Sequence, residues 1–139
     1  MKNNFKWISF LILFIFAFNS SYAQFWKKKK VVPKYDYQGP FYDGLAKVRS
    51  NHKYGFINKD GVEIVSPKYD QVENFSDGIA RVRMGVQGRE GGGWGLINSS
   101  GHEIVRPMFD VISDFINGKA EVKSLGKVGY IDRDGNLIK

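Results

Sequence analysis

Three kinds of side chain in this sequence could carry chemistry. Asp132-Arg133-Asp134-Gly135-Asn136 spaces oxygen ligands in the manner of a calcium loop. Such a loop takes its Gly at the sixth position and a bidentate Glu at the twelfth. Here Gly comes fourth, and the aligned Asn98-Ser99-Ser100 carries no charge, so the spacing predicts a hairpin turn instead. His52 and His102 are the only histidines and occupy different places in their surroundings. A zinc site needs three or four convergent ligands, so both are expected on the surface. Asp36, Asp70 and Asp110 recur in like settings. Facing carboxylates can cleave glycosides, but regular recurrence points to a structural task, an Asp accepting backbone N–H groups in an Asx turn. The serines lack a Gly-x-Ser-x-Gly setting, and no Gly-rich loop precedes a helix to cradle phosphate. There is no cysteine, which removes thiol nucleophiles, thiolate metal sites and disulfides. Neither a catalytic residue, a metal nor a cofactor is implied.

The elements that hold these residues come as a repeat. Gly44, Gly78 and Gly118 are 34 and 40 residues apart, and Gly61, Gly101 and Gly135 are 40 and 34 apart. The two series agree if the middle copy has six extra residues, and Val82 to Trp94 is indeed six residues longer than Val48 to Tyr54 or Val122 to Val128. Phe41, Phe75 and Phe115 then align, as do Ala46, Ala80 and Ala120, Val48, Val82 and Val122, and Ile57, Ile97 and Ile131. Self-similarity at this period marks a repeat array. The units are residues 35–68, 69–108 and 109–139.

Within a unit, Leu45-Ala46-Lys47-Val48-Arg49 alternates apolar and polar, the period of a half-buried strand. The expectation is that Ala46, Val48, Ile57, Ala80, Val82, Ile97, Ala120, Val122 and Ile131 are buried, while Lys47, Arg49, Arg81, Arg83, Glu121 and Lys123 are exposed. Asp43-Gly44 and Asn51-His52-Lys53 read as tight connections, and Asn58-Lys59-Asp60-Gly61 as a type I turn closing on a left-handed glycine. Gly55, Gly95 and Gly129 sit inside strands, where glycine marks a bulge or the close approach of another backbone; the preceding Tyr54, Trp94 and Val128 are read as a packing partner. No segment of residues 24–139 has a helical period. The fold class is all-β, a three-unit array of short antiparallel strands and hairpins, with solenoid-like or barrel-like closure open.

The first 34 residues differ. Lys2 and Lys6, the apolar run Trp7 to Phe18, and Asn19-Ser20-Ser21-Tyr22-Ala23 have the layout of a secretory signal peptide cleaved between Ala23 and Gln24. The apolar run is short of the roughly 20 residues of a membrane span, although an uncleaved anchor is the rival reading. Residues 24–34 form a basic arm with Lys27, Lys28, Lys29 and Lys30. The chain has a formal charge of +7, and its excess cations (Lys2, Lys6, Lys27 to Lys30 and Lys34) all precede the first unit, leaving the repeats neutral. That excludes a nucleic-acid face on the fold. The arm is either a solvated terminus or a hold on an anionic membrane or glycan surface, worth on the order of 1 kcal/mol per Lys and screened by salt.

Aromatic-Gly-aromatic/aliphatic-Ile-Asx, then Gly, an apolar pair and Pro, then Tyr/Phe-Asp and Phe-x-Asx-Gly-x-Ala, resembles the WG-repeat family of bacterial proteins. The resemblance spans about Val31 to Lys139. Trp94-Gly95 has the naming dipeptide, Tyr54-Gly55 departs from it conservatively, and Val128-Gly129 departs more strongly. It implies a β-rich interaction scaffold without catalytic residues to carry over.

Both ends read as half-units. Val31-Val32-Pro33-Lys34-Tyr35-Asp36 matches Val65 to Asp70, the closing strand of a unit, and the third unit stops at Leu137-Ile138-Lys139, before its Pro. A repeat array needs its terminal cores covered, so these ends are expected to pair with each other or with a partner. The insertion Gly85-Val86-Gln87-Gly88-Arg89-Glu90-Gly91-Gly92-Gly93 is either a tolerated loop extension or a contact loop at the rim of the middle unit, with Arg89 and Glu90 as candidate binding residues. Most aromatics repeat and are expected in the core, Trp94 among them. Phe25, Trp26, Tyr37 and Tyr42 do not repeat and are candidate contact residues, and Trp94 joins them if it is a surface residue. These features predict an exported, non-enzymatic binding or scaffold protein whose partner is a protein or a cell-envelope polymer. The alternatives are a hydrolase of envelope polymers and a surface protein held by the lysine arm.

Overall fold

The computed structural model describes residues 34–85 and 92–138. Phe25, Trp26, the Lys27–Lys30 arm, Arg89, Glu90 and the candidate signal peptide lie outside the described residues.

The described chain is all-β. Its strands are β1 (Tyr37–Tyr42), β2 (Leu45–Ser50), β3 (Lys53–Asn58), β4 (Glu63–Tyr69), β5 (Gln71–Val72), β6 (Ile79–Met84), β7 (Gly93–Asn98), β8 (Glu103–Phe109), β9 (Val111–Ile112), β10 (Ala120–Ser124), β11 (Lys127–Ile131) and β12 (Leu137–Ile138). They make three four-stranded antiparallel meanders, β1–β4, β5–β8 and β9–β12. The turns follow from residues that accept positive φ. Asp43-Gly44, Asp77-Gly78 and Asn117-Gly118 close the first hairpins with both central residues left-handed, the geometry that matches strand twist. Asn58, Asn98 and Asp132 each accept two backbone N–H bonds in their own turn, from Asp60 and Val62, Ser100 and His102, and Asp134 and Asn136. The Asp132 segment is therefore the hairpin turn its spacing predicts.

Only one residue, Asp70 or Asp110, separates the last strand of one sheet from the first of the next. The chain thus steps from sheet to sheet and stacks them. Leu45, Phe56, Val65 and Tyr69 of the first sheet share a core with Phe75, Ala80, Val82 and Ile97 of the second sheet and the loop within it. Leu96 and Val105 of the second share one with Ile112, Ala120, Val122 and Ile131 of the third. All nine positions expected in the core are buried.

The opposite expectation, that the polar residues alternating with them lie in solvent, fails for five of six. Lys47, Arg49, Arg81, Arg83 and Glu121 are half-buried, and only Lys123 is exposed. For Lys47 and Arg81 the cause is the stack, the second face of their sheets meeting the next sheet, whereas Glu121 of the last sheet is paired with Lys123 of its own strand. Arg81 shows it, its guanidinium bonded to Glu73 at 2.6 Å in its own unit and to Asp114 and the Ile112 carbonyl of the third unit at 2.8 and 2.9 Å. The aromatic core is also uneven. Phe75 is buried, but its counterpart Phe41 is exposed and Phe115 half-buried, and Tyr130, aligned with buried Phe56 and Leu96, is exposed.

The in-strand glycines have a shared physical reason in the first two sheets. A Cβ on Gly55 would lie 2.2 Å from the Val65 carbonyl oxygen and 2.7 Å from the Pro67 nitrogen. One on Gly95 would lie 2.4 Å from the Val105 oxygen and 2.7 Å from the Pro107 nitrogen. Here β4 and β8 bulge against β3 and β7, so it is a neighbouring backbone, not a ring, that uses the space. Gly129 differs: a Cβ there would meet only Leu137 and Val122 side chains at 3.8 Å.

Candidate functional site

The recurring carboxylates hold turns. Asp36, Asp70 and Asp110 accept N–H bonds from Asn51, Gly85 and Leu125, each fifteen residues on. They latch the β2–β3 hairpin and its counterparts rather than form a turn of their own, which corrects the Asx-turn expectation while keeping the structural one. The Lys53 ammonium and the Gly85 N–H hold the Asp70 carboxyl below its usual range.

A second set occurs twice: it ties the segment before β1 to β4, and β4 of the first sheet to β8 of the second. Tyr35 and Lys34 both donate to Glu63, and Tyr69 and Lys68 both donate to Glu103. Each lysine also lies over its tyrosine ring, 5.2 Å and 4.9 Å from the centroid. The carboxyls of Glu63 and Glu103 are held below their ordinary value by these donors, Lys34 chiefly for Glu63 and Tyr69 chiefly for Glu103. Burial, together with the Glu103 carboxylate, pushes the Tyr69 phenol well up. In the third copy all three members change together, to Met108, Phe109 and Leu137.

The arrangement best suited to hold a ligand lies between the first two sheets. Tyr37, Lys47 and Tyr54 from β1, β2 and β3 face Gln71, Val72 and Trp94 from β5 and β7 across a groove of about 320 Å³. The backbone sets the rings: Tyr54 and Trp94 are the residues before the in-strand glycines, paired across the ladder with Tyr69 and Phe109. Both are half-buried, and Tyr37 is 43% exposed. Arg49 lies over the Tyr54 ring at 6.0 Å and Arg83 over the Trp94 ring at 5.8 Å, and Arg83 donates to Gln71. Flat apolar faces beside an ammonium and an amide can stack and hydrogen-bond a ligand. Of the sequence candidates, the structure brings Tyr37 and Trp94 together here; Tyr42 is exposed but outside the groove. The core expectation for Trp94 holds in part, since its ring also packs against the Leu96 and Val105 cluster. Sequence reasoning missed Lys47, Tyr54, Gln71 and Val72; the alignment of Tyr54 with Trp94 was the available signal.

A cleft between the second and third sheets, lined by Glu73, Asp77, Asp114 and Arg133 among others, has more charge. Its carboxylates Glu73 and Asp114 are bound to Arg81, and Arg133 donates to the Asp77 carbonyl, so it is the joint between two units. His52 and His102 are exposed, as expected.

No curated protein matches the chain, and no solved structure does. The family model described as WG containing repeat matches three times, at residues 27–54, 54–85 and 94–127. Three matches over most of the chain, on a fold whose glycines and sheets repeat with them, place it: this chain belongs to the WG-repeat family.

Proposed function

We propose that this protein is a non-catalytic binding module, exported after cleavage at Ala23-Gln24, that presents its stacked sheets to a protein or a cell-envelope polymer. The observation that carries the reading is the groove of Tyr37, Tyr54 and Trp94 with Lys47 and Gln71 at its walls. Three ring faces held by a rigid ladder give contact area at small entropic cost. The hydrolase alternative needs a carboxyl raised so that it can act as an acid near neutral pH. The carboxyls with a resolved shift, Glu63, Asp70, Glu103 and Asp132, all move down and stay ionised. The Lys27–Lys30 arm adds a salt-sensitive hold on an anionic surface.

The test uses a chain beginning at Gln24, immobilised and exposed to envelope extract. The reading predicts one or more retained components, intact, whose retention falls in a Tyr54→Ala/Trp94→Ala variant that still folds. Release of shortened polymer would overturn it in favour of the hydrolase.

A further inference from the structure

The groove between the first two sheets carries, besides its rings, positive charge that the chain does not neutralise. Tyr37, Arg49 and Tyr54 stand opposite one another on β1, β2 and β3, and Gln71, Arg83 and Trp94 repeat that row on β5, β6 and β7. Each row thus has a guanidinium at its centre. Lys47, two residues from Arg49 on β2, shares its face of the sheet and lines the groove. Among the described residues no ion pair engages Lys47, Arg49 or Arg83. The Nε atoms of Arg49 and Arg83 are buried without a hydrogen-bond partner, the kind of orphaned group that calls for an explanation. Asp36 and Asp70, the carboxylates beside the rows in sequence, are engaged elsewhere, Asp36 by the Asn51 N–H and Asp70 by Lys53 and the Gly85 N–H. No carboxylate is among the residues that line the groove.

The other polar groups suit hydroxyls. Gln71 accepts from Arg83, which leaves its amide N–H groups to donate outward. The phenols of Tyr35 and Tyr69 are bonded to glutamates, whereas among the described residues those of Tyr37 and Tyr54 have no partner. The Tyr37 ring lies over Gly39, where an added Cβ would come 2.9 Å from the phenol oxygen. Because β2, β3, β6 and β7 are interior strands, their main-chain groups are taken up in the ladders, and a peptide cannot add to them as a strand. Recognition here falls to side chains. A sugar ring meets each feature. Its C–H face is flat and apolar and lies on the negative face of an aromatic ring, its hydroxyls donate and accept, and a carboxylate on the ring supplies the absent anion.

We infer that this groove binds a linear polysaccharide of acidic sugars, one ring stacked on Tyr37 and its neighbours packed against Tyr54 and Trp94, with Lys47 pairing a sugar carboxylate and Arg49 and Arg83 adding to the attraction. The inference rests on the binding-module reading and names the ligand class of that same groove. The neutral sum of the repeats confines the attraction to this groove and sets the ligand apart from nucleic acid, which needs cations along an extended face.

The probe is hexagalacturonate, titrated into the full chain by calorimetry and followed by backbone amide shifts. Saturable binding with shifts centred on Lys47, Tyr54 and Gln71 is expected, and it should persist when Lys27, Lys28, Lys29 and Lys30 are all replaced by Gln. Lys47→Gln breaks no ion pair among the described residues and should leave the fold intact. It should weaken binding by about tenfold, which corresponds to about 1.4 kcal/mol, and so should methyl esterification of the sugar carboxylates. No binding, equal affinity for the ester or for Lys47→Gln, or loss of binding with the four Gln substitutions would overturn the inference. Hexaglutamate bound as tightly would overturn it in favour of an acidic peptide. If hexagalacturonate fails while an envelope component is still retained through Tyr54 and Trp94, the acidic sugar falls and the binding module stands; if that retention fails too, both fall.

Discussion

Tyr69, the last residue of the first sheet, donates its phenol to the Glu103 carboxylate of the second sheet across 2.5 Å. Tyr69 is fully buried, with its ring in the core shared by both sheets. One side chain therefore fills the apolar joint and supplies its polar closure. A hydrogen bond to a charged group contributes about 1.5 to 3 kcal/mol, so Tyr69→Phe should destabilise by about that amount in urea. Glu103→Leu should also destabilise, since it leaves a buried hydroxyl without its acceptor. The pair together should cost less than the sum, because replacing both partners by apolar groups can be nearly neutral. The third copy has made that double change, with Phe109 and Leu137. Additive losses would show that Tyr69 and Glu103 do not act as a unit.

The same clasp makes stability depend on pH. The Tyr69 hydrogen bond, with the Lys68 ammonium, holds the folded Glu103 carboxyl below its ordinary value of 4.5. A depressed folded pKa gives stability that is full above the unfolded pKa and is lost as pH falls through the folded one. The difference in unfolding free energy between wild type and Glu103→Gln should therefore be largest at neutral pH and shrink below about pH 4.5. Denaturation midpoints of both chains from pH 7 to pH 3 measure it, and a constant difference would remove Glu103 as the cause.

Glycine identity should matter at two repeat positions and not at the third. Gly95→Ala places a methyl 2.4 Å from a backbone oxygen, and overpacking of this kind costs about 1 to 3 kcal/mol or more. Gly129→Ala meets nothing closer than 3.8 Å and should shift the midpoint little. Equal effects at both positions would show that the bulge is not what demands glycine.

Leu125 holds a left-handed conformation, φ 51°, while 91% exposed. Its counterpart in the first unit is Asn51, φ 51°. Because a left-handed conformation costs an L-residue about 1 to 2 kcal/mol and Asn tolerates it better, Leu125→Asn should raise stability by up to about 1 kcal/mol. A thermal midpoint at or below wild type would contradict this.

Much of this fold is legible in the sequence because its information is periodic. Ala46, Val48 and Ile57 recur with Ala80, Val82 and Ile97, and alternation alone puts them inside. The turns at Asn58, Asn98 and Asp132 are legible because an Asx oxygen and a left-handed glycine are local requirements. What was not legible depends on stacking. Lys47 and Arg81 alternate with core residues and so read as solvent-facing, yet the next sheet covers that side. The Tyr69–Glu103 pairing spans 34 residues, and period alone does not show that the tyrosine ending one sheet meets a glutamate of the next. The groove was half visible, in Tyr37 and Trp94. Tyr54 was assigned to the core with the other recurring aromatics, because nothing local to residue 54 says that two sheets part there.

The central claim is that the face around Trp94 binds. In a chain beginning at Gln24 the tryptophans are Trp26 and Trp94, so Trp26→Phe leaves Trp94 as the single emitter. Its fluorescence is followed while the component retained from envelope extract is titrated in. The account predicts a saturable change in emission that Tyr54→Ala weakens in a folded chain. Undiminished retention of that component with Trp94 emission unmoved would contradict it.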